Sequence, residues 1–413
     1  MTFPSGQPRL RALTIAIDDP GPLLRYLPDD KPAAAFVRRG EGFVAIGEEL
    51  VFETDVALAG DVWWAETAAE IEHETELPGV FGTGPLAIGS FLFDANHSSD
   101  RSVLIVPQVI IGRRGGVSWL TCIGRSPDGE MPPLGTPPEP PLNLRFADGA
   151  MNATDWEQMV GEIIALIKRG EAEKVVLARD LIATSDTPID PRHVANRLAA
   201  SYPDTWTYSV RGLVGATPEL LVRLRGGLVT SRVLAGTVRR TGGPDDAARL
   251  AADLAQSGKN AAEHDFAVRS VAEALGPYTA GMHVPDVPFV LELPNVLHLA
   301  TDITGVAHEG NSALALAGAL HPSAAVCGTP TPVAADLIAE FEGLDRGRYA
   351  GPVGWVDAAG DGEFALALRC GQLLSDNEIQ LFAGVGIVAD SVAADELAET
   401  AAKFVPMRDA LSG

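Results

Sequence analysis

Near the C-terminus, Glu396, Glu399 and Lys403 recur at i, i+3 and i+7. At ~3.6 residues per turn that spacing sets them within about 60° of one another on one helix face. A solvated face with an ion pair satisfies the pattern as well as a metal or substrate site does. Just upstream, Gly384-Val385-Gly386 follows an apolar run and reads as a glycine turn whose backbone N–H groups could approach an anion. It is not a phosphate loop, because no Gly-Lys-Ser/Thr follows. A second segment, SGKNAAEH, places Lys259 and Glu263 four residues apart, which alone describes a helix-surface pair. If Glu263 and Glu399 converge from separate helices, two hard carboxylate ligands with open positions suit Mg2+. His264 adjoins Glu263, but without HExxH or a Cys/His cluster zinc is not supported.

Two further residues stand against apolar runs. Lys174 opens the strand-like Lys174-Val175-Val176-Leu177, where a buried ammonium is costly unless paired. It is either an edge lysine reaching to solvent or an amine placed to act as a base. Glu219 lies in GATPELL, a turn feeding an apolar run, where a carboxyl can keep its proton and serve as a general acid. Tyr349 in RGRYAGPVGW and Arg369 in FALALRCG complete the set. An arginine ending an apolar strand grips a carboxylate, from a substrate or from a structural partner.

The elements that must position these residues are mixed. Thr154 and Glu157 form a capping box, and Trp156, Met159, Val160, Ile163, Ile164 and Ile167 then recur at helical spacing up to Gly170. Further helices are predicted over 191–200, 245–275 (broken near Gly258), 332–344 and 393–411, the last interrupted at Pro406. Strands are predicted over 207–210, 219–224, 228–234, 351–356, 363–368 and 379–383. Strands and helices do not alternate as βαβ units, so the fold class is α+β with large antiparallel sheets flanked by helices. Residues 1–145 read as a strand-rich subdomain. The segment from Pro127 to Pro141, seven prolines in fifteen residues, marks a linker before a catalytic region at 150–413 that integrates with the first part.

Composition narrows the function. The 413 residues carry a formal net charge of −24, which disfavours nucleic acid and anionic membranes as partners. An anionic substrate would need a local basic pocket or a metal. Three unpaired-looking cysteines, no apolar leader in MTFPSGQPRLRALTIAIDDP and no long uncharged apolar stretch suggest a soluble cytoplasmic protein without disulfides. Nothing resembles a coiled coil, and a monomer is the default expectation.

Taken together, EKVVLAR, GATPELLVR, LAGTVRR, SGKNAAEH, LPNVLHL, HPSAAVCGTP, RGRYAGPVGW, FALALRCG and LFAGVGIVADS followed by ADELAETAAK resemble the chorismate-utilising enzymes. That family includes the isochorismate and salicylate synthases and the large subunits of anthranilate and aminodeoxychorismate synthases. The likeness spans some 240 residues from about Glu171, and isochorismate synthases resemble this chain most. It implies an anthranilate-synthase-large-subunit-like fold and a Mg2+ cofactor. It further implies Lys174 as the base that activates water for attack at C2 of chorismate, and Glu219 as the acid that protonates the departing C4 hydroxyl. Glu263 and Glu399 match metal ligands, and Glu396 a carboxylate that supports the metal through water. Gly236, Thr237, His298, Ala325, Tyr349, Arg369, Gly386 and Lys403 match substrate contacts.

Family members that use nitrogen lack a lysine at the position of Lys174, so no glutamine amidotransferase subunit is expected. Ala325 stands where salicylate-forming relatives tend to carry threonine, which favours release of isochorismate over its conversion to salicylate. Two departures stand out: Asn260 replaces a common acid, and Val385 replaces an alanine. A silent chorismate-binding protein is the reading from another class, disfavoured by the intact Lys174, Glu219, Glu263 and Glu399. A Schiff-base role for Lys174 with pyridoxal phosphate lacks a phosphate loop.

Overall fold

The fold rests on two antiparallel sheets, seen in a computed structural model that describes residues 10–239, 244–292 and 296–412. The first sheet has 13 strands, and Lys174–Thr184, Glu378–Ile387, Cys370–Ser375, Leu213–Thr217, Trp206–Val210, Ala33–Arg38 and Glu41–Ile46 follow one another across its middle. The second has 10 strands, with Val296–Ala307, Leu228–Arg239, Leu220–Arg225, Gly362–Leu366, Pro352–Asp357 and Leu86–Ser90 in succession. Among the described residues the pairing is antiparallel apart from Arg11–Ala16 with Glu72–Thr75. Both sheets draw strands from before and after the proline-rich segment.

Side-chain alternation along a strand explains how a sheet can be covered on both faces. In Ala33–Arg38, Ala34 and Phe36 enter the main core, while Ala35 and Val37 enter a second core on the other face. The main core also takes Trp355, Phe364 and Leu220 from the second sheet. The second core is closed by helices, with Val194, Leu198, Phe404 and Met407 packed over it.

Eight α-helices are described: α1 (Ala57–Ala69), α2 (Ala153–Lys168), α3 (Pro191–Ser201), α4 (Pro244–Gln256), α5 (Gly258–Leu275), α6 (Ala313–Leu320), α7 (Thr331–Phe341) and α8 (Ala393–Ser412). The sequence reading predicts neither α1 nor α6, and three of the other helices differ from it. The cap of α2 is Asn152, whose side chain accepts from the Thr154 and Asp155 N–H groups and bonds the Asp155 carboxylate at 2.8 Å. The Asn-Asp pair therefore takes the capping role two residues before the predicted Thr154–Glu157 box. Helix α7 stops at Phe341, because the chain beyond it turns to bury Glu342 and Arg346. Pro406 lies inside a continuous α8. Pro406 is buried there with Phe404 and Met407, and contacts with α2, α3 and the sheet offset the lost helix hydrogen bond.

Gly384-Val385-Gly386 is likewise no turn. It lies within the strand Glu378–Ile387, in register with Ala178, Leu177 and Val176. Glycine is required there for room: a Cβ on Gly384 would sit 2.7 Å from the Tyr349 hydroxyl. Val385 is buried in the main core.

Gly328 shows the same constraint more severely, with φ +144° and a would-be Cβ 2.2 Å from the Lys174 carbonyl oxygen. Gly328→Ala should destabilise the protein by about 2–3 kcal/mol. Gly161, exposed in α2 with nothing near its would-be Cβ, should instead gain about 0.5–1 kcal/mol on change to Ala. Thermal denaturation of the two variants should therefore move in opposite directions, and equal shifts would refute the packing argument.

Candidate active site

One cavity gathers most of the residues singled out from the sequence. Lys174, Glu219, Gly236, His298, Ala325, Tyr349, Arg369, Gly386, Glu396, Glu399 and Lys403 all line it. Lys174 is the first residue of its strand and is paired with Thr329 of the short strand Gly328–Thr329. Its side chain is buried, with 4% of the residue exposed. Glu219 ends the turn between Leu213–Thr217 and Leu220–Arg225, so it stands where the chain passes from the first sheet to the second. Its carbonyl accepts from the Leu366 N–H at 3.2 Å, and its own N–H donates to Thr217 Oγ1 at 3.3 Å.

Gly236 is the extra residue of a β-bulge. Ala235 faces Leu299 and Thr237 faces His298, with Gly236 unmatched between them at φ +75°. Such a bulge bends the strand and re-aims the side chains beside it, and here it brings Gly236 and His298 to the cavity wall. The backbone of Thr237 belongs to this strand, but its side chain lies outside the described residues. Ala325 lies within a turn in which the Val326 and Cys327 N–H groups donate to the Ser323 carbonyl. Tyr349 stacks on Phe382 with ring centroids 4.8 Å apart and planes 6° from parallel. Arg369 adopts φ +50°, a strained conformation of the kind that collects at functional sites, and its carbonyl accepts from the Ala216 N–H at 3.2 Å.

Helix α8 presents the acidic groups. Glu396 is buried, and Glu399 Oε1 lies 2.7 Å from Lys403 Nζ. That ammonium also donates to the Gly384 carbonyl at 2.8 Å, fixing the helix to the glycine-bearing strand. Glu263 falls in α5, which packs on the strands Leu228–Arg239 and Val296–Ala307; the Glu263 and Asn260 side chains lie outside the described residues. Among the described residues no three His, Cys, Asp or Glu side chains converge as a metal cluster. The carboxylates of Glu396 and Glu399 are nevertheless hard oxygen donors in one cavity, a donor chemistry that fits Mg2+.

Burial governs the protonation states. It pushes the Glu219 carboxyl up to about 7, against the pull of Lys174, Arg369 and Lys403. It carries the His298 imidazole well below its ordinary range, helped by Arg369 and Lys403, so the ring is neutral. Burial also raises the Tyr349 phenol, which stays protonated. The cavity thus holds a carboxyl able to give a proton near neutral pH, an amine, and fixed cations.

The sequence reading missed Phe382 and Ala350, which also line the cavity, and took Gly384 for part of a turn. Gly384 lies two residues from a predicted contact, Gly386, and its need for room depends on Tyr349, 35 positions away. No local pattern marks Phe382.

A carboxyl that holds its proton to about pH 7 and an amine line one cavity with Arg369 and Lys403, groups able to move protons on a small anion. The chain belongs to the chorismate binding enzyme family, whose profile matches residues 136–412. A Mycobacterium tuberculosis (strain H37Rv) protein, a candidate isochorismate synthase MenF, is 37% identical over 345 residues, covering 80% of this chain and 87% of its own. A crystal structure from Bacillus anthracis, a candidate 2,3-dihydroxybenzoate-specific isochorismate synthase DhbC, is 31% identical with a TM-score of 0.78, covering 94% of this chain and 98% of that one. The fold is shared with the menaquinone-specific isochorismate synthase MenF of Escherichia coli, at TM-score 0.81, 24% identity and coverage of 98% and 95%. It is also that of anthranilate synthase component I from Streptococcus pneumoniae, at TM-score 0.68, 21% identity and coverage of 98% and 93%. Among the described residues no helix is long and apolar enough to cross a membrane.

The raised Glu219 pKa has a thermodynamic consequence. Because the folded state binds this proton more tightly than the unfolded chain, stability is lost as pH rises from the ordinary carboxyl range through about 7. Glu219→Gln should therefore melt higher than the wild type above pH 7, and the difference should shrink towards zero below pH 4.5. A difference independent of pH would remove Glu219 from the buried, proton-holding state.

Proposed function

We propose that this protein is an isochorismate synthase, an isomerase that converts chorismate to isochorismate with Mg2+ as cofactor. The observation that carries the reading is the meeting of Lys174 and a proton-holding Glu219 in one cavity with Arg369 and Lys403. The names of the Mycobacterium tuberculosis and Bacillus anthracis relatives point the same way.

The reaction exchanges hydroxyl groups without net oxidation. Lys174 takes a proton from a water molecule, whose oxygen forms a bond to C2 of the ring. The double bonds shift, the C4–O bond breaks, and Glu219 delivers its proton to the departing hydroxyl, which leaves as water. Proton return from Lys174 to Glu219 restores the starting state. Arg369 and Lys403 oppose the two substrate carboxylates, Tyr349 donates its phenolic hydrogen, and neutral His298 offers a donor and an acceptor. The Tyr349–Phe382 stack and the apolar Leu234, Ala325 and Leu368 exclude bulk water from the ring.

Glu263 and Glu399, supported by Glu396, would hold the metal. Bound there, Mg2+ would supply positive charge for the ring carboxylate and for the electron density that moves as the hydroxyl leaves. Water is the nucleophile in this reading, so no ammonia-delivering subunit takes part.

Purified protein with chorismate and Mg2+ should yield isochorismate by chromatography, and chelation with EDTA should stop the reaction. Prompt stoichiometric salicylate, visible by its fluorescence, would instead mark a salicylate synthase, and binding without turnover a silent chorismate-binding protein. Lys174→Ala should lower kcat by at least 10³-fold, a magnitude within the range of general-base loss, while chorismate still binds. Near-normal turnover would refute the base assignment. As only the protonated Glu219 can act, kcat should fall above about pH 7, and a rate that climbs steadily to pH 9 would refute the acid assignment.

A further inference from the structure

The strand that carries Lys174 has an incomplete outer edge. On one side it pairs along its length with Glu378–Ile387. On the other side Lys174 and Val175 pair with Thr329 and Gly328, and Leu181 to Thr184 pair with Arg145–Asp148. The gap between these partners falls next to the cavity. Its first backbone group, the Val176 N–H, donates to the Cys327 carbonyl at 2.8 Å. The next two are taken by side chains: Arg346 Nη2 donates to the Val176 carbonyl at 2.8 Å, and Glu342 Oε2 accepts from the Ala178 N–H at 2.8 Å. Trp156 then donates to the Ala178 carbonyl at 2.9 Å.

Glu342 and Arg346 are buried, at 2% and 4% exposure, and bonded to each other at 2.7 Å through Arg346 Nε. Arg346 Nη1 also donates to the Val326 carbonyl at 3.0 Å, beside Ala325, and its guanidinium lies 4.2 Å from the Phe93 ring centre. Its own carbonyl accepts from the Tyr349 N–H at 2.9 Å. A single ion pair therefore contacts the strand of Lys174, the turn of Ala325 and the loop of Tyr349, yet neither residue lines the cavity.

We infer that Glu342 and Arg346 are positioning residues that stand in for a missing strand and fix the Lys174 backbone relative to Ala325 and Tyr349. The inference rests on the proposed role of Lys174. Arg346 supplies two donors in a rigid fork, which a lysine could not reproduce, and Glu342 supplies the acceptor. Lys174 lies two residues from the Val176 carbonyl, so loosening that contact moves the amine before it disturbs the distant sheet.

The test uses the scarcity of lysine, of which the chain has five: Lys31, Lys168, Lys174, Lys259 and Lys403. Protein labelled with 13C at lysine Cε should give five resonances, with that of Lys174 assigned by its loss in Lys174→Ala. The variant Glu342→Leu/Arg346→Met keeps charge balance and apolar packing but removes both hydrogen bonds to the strand. It should shift the Lys174 resonance alone, lower kcat at least tenfold, and leave KM within threefold. An unmoved Lys174 resonance, or equal movement of all five with a raised KM, would overturn the inference. Should that variant not fold, Glu342→Gln, which keeps shape and acceptor, should shift the same resonance more weakly, and wild-type spectra and kinetics from it would overturn the inference too. Lys174→Ala with intact turnover would refute the base assignment separately, because the resonance still reports whether the pair positions the amine.

Discussion

The Glu219 carboxyl is buried near Lys174, Arg369 and Lys403 and yet keeps its proton to about pH 7, and the rest of the site depends on that balance. Desolvation disfavours the carboxylate; Lys174, Arg369 and Lys403 favour it, and desolvation wins. Were the cations closer or the cavity wetter, Glu219 would ionise at its ordinary pKa and could not act as an acid near neutrality. The transition from one sheet to the other sets this distance, because Glu219 is held by Thr217 on one side and Leu366 on the other. Two large sheets packed face to face give a rigid frame for a carboxyl that keeps its proton, and so for the donor role proposed for it.

The same frame resolves a conflict of charge. At −24 overall, the protein repels a dianion at long range, but screening at physiological salt limits that repulsion to about 8 Å. Inside the cavity the opposing cations lie in a less screened setting. Glu399 bonds Lys403 and so moderates the ammonium, while Lys403 ties α8 to the Gly384 carbonyl. The acidic helix and the cationic pocket are thus one structure. Its local field runs against that of the surface.

Much of this was legible in the sequence because the motifs are contiguous and each brings its own strand or turn. EKVVLAR, GATPELL and FALALRCG are strand ends or turns, and the residues named from them meet in one cavity. What was not legible depends on partners far away in the chain. Gly384-Val385-Gly386 looks like a turn by composition, and only the Tyr349 hydroxyl and the register with Val176–Ala178 explain why glycine occupies a strand. The α2 cap was misplaced because Thr154–Glu157 and Asn152–Asp155 both satisfy the local spacing, and nothing in the sequence ranks them. Pro406 reads as a break, but tertiary packing holds α8 continuous. Glu342 and Arg346 have the spacing of any surface i, i+4 pair; their meaning lies in a hydrogen bond to Ala178, 164 positions away.

A side-chain pair in place of a strand also has a physical logic. A true strand beside Val176–Ala178 would advance ~3.3 Å per residue and point alternate side chains towards the cavity, competing for the space that Ala325 and Tyr349 occupy. Two side chains satisfy the same backbone groups from behind, so the loops around them can face the substrate. Burying an ion pair for this purpose adds little net stability, since desolvation roughly cancels the attraction. An apolar pair would pack as well but would leave the Val176 carbonyl and the Ala178 N–H unsatisfied, at about 1–3 kcal/mol each. The ion pair is therefore better understood as fixing one geometry of the Lys174 strand than as strengthening the fold.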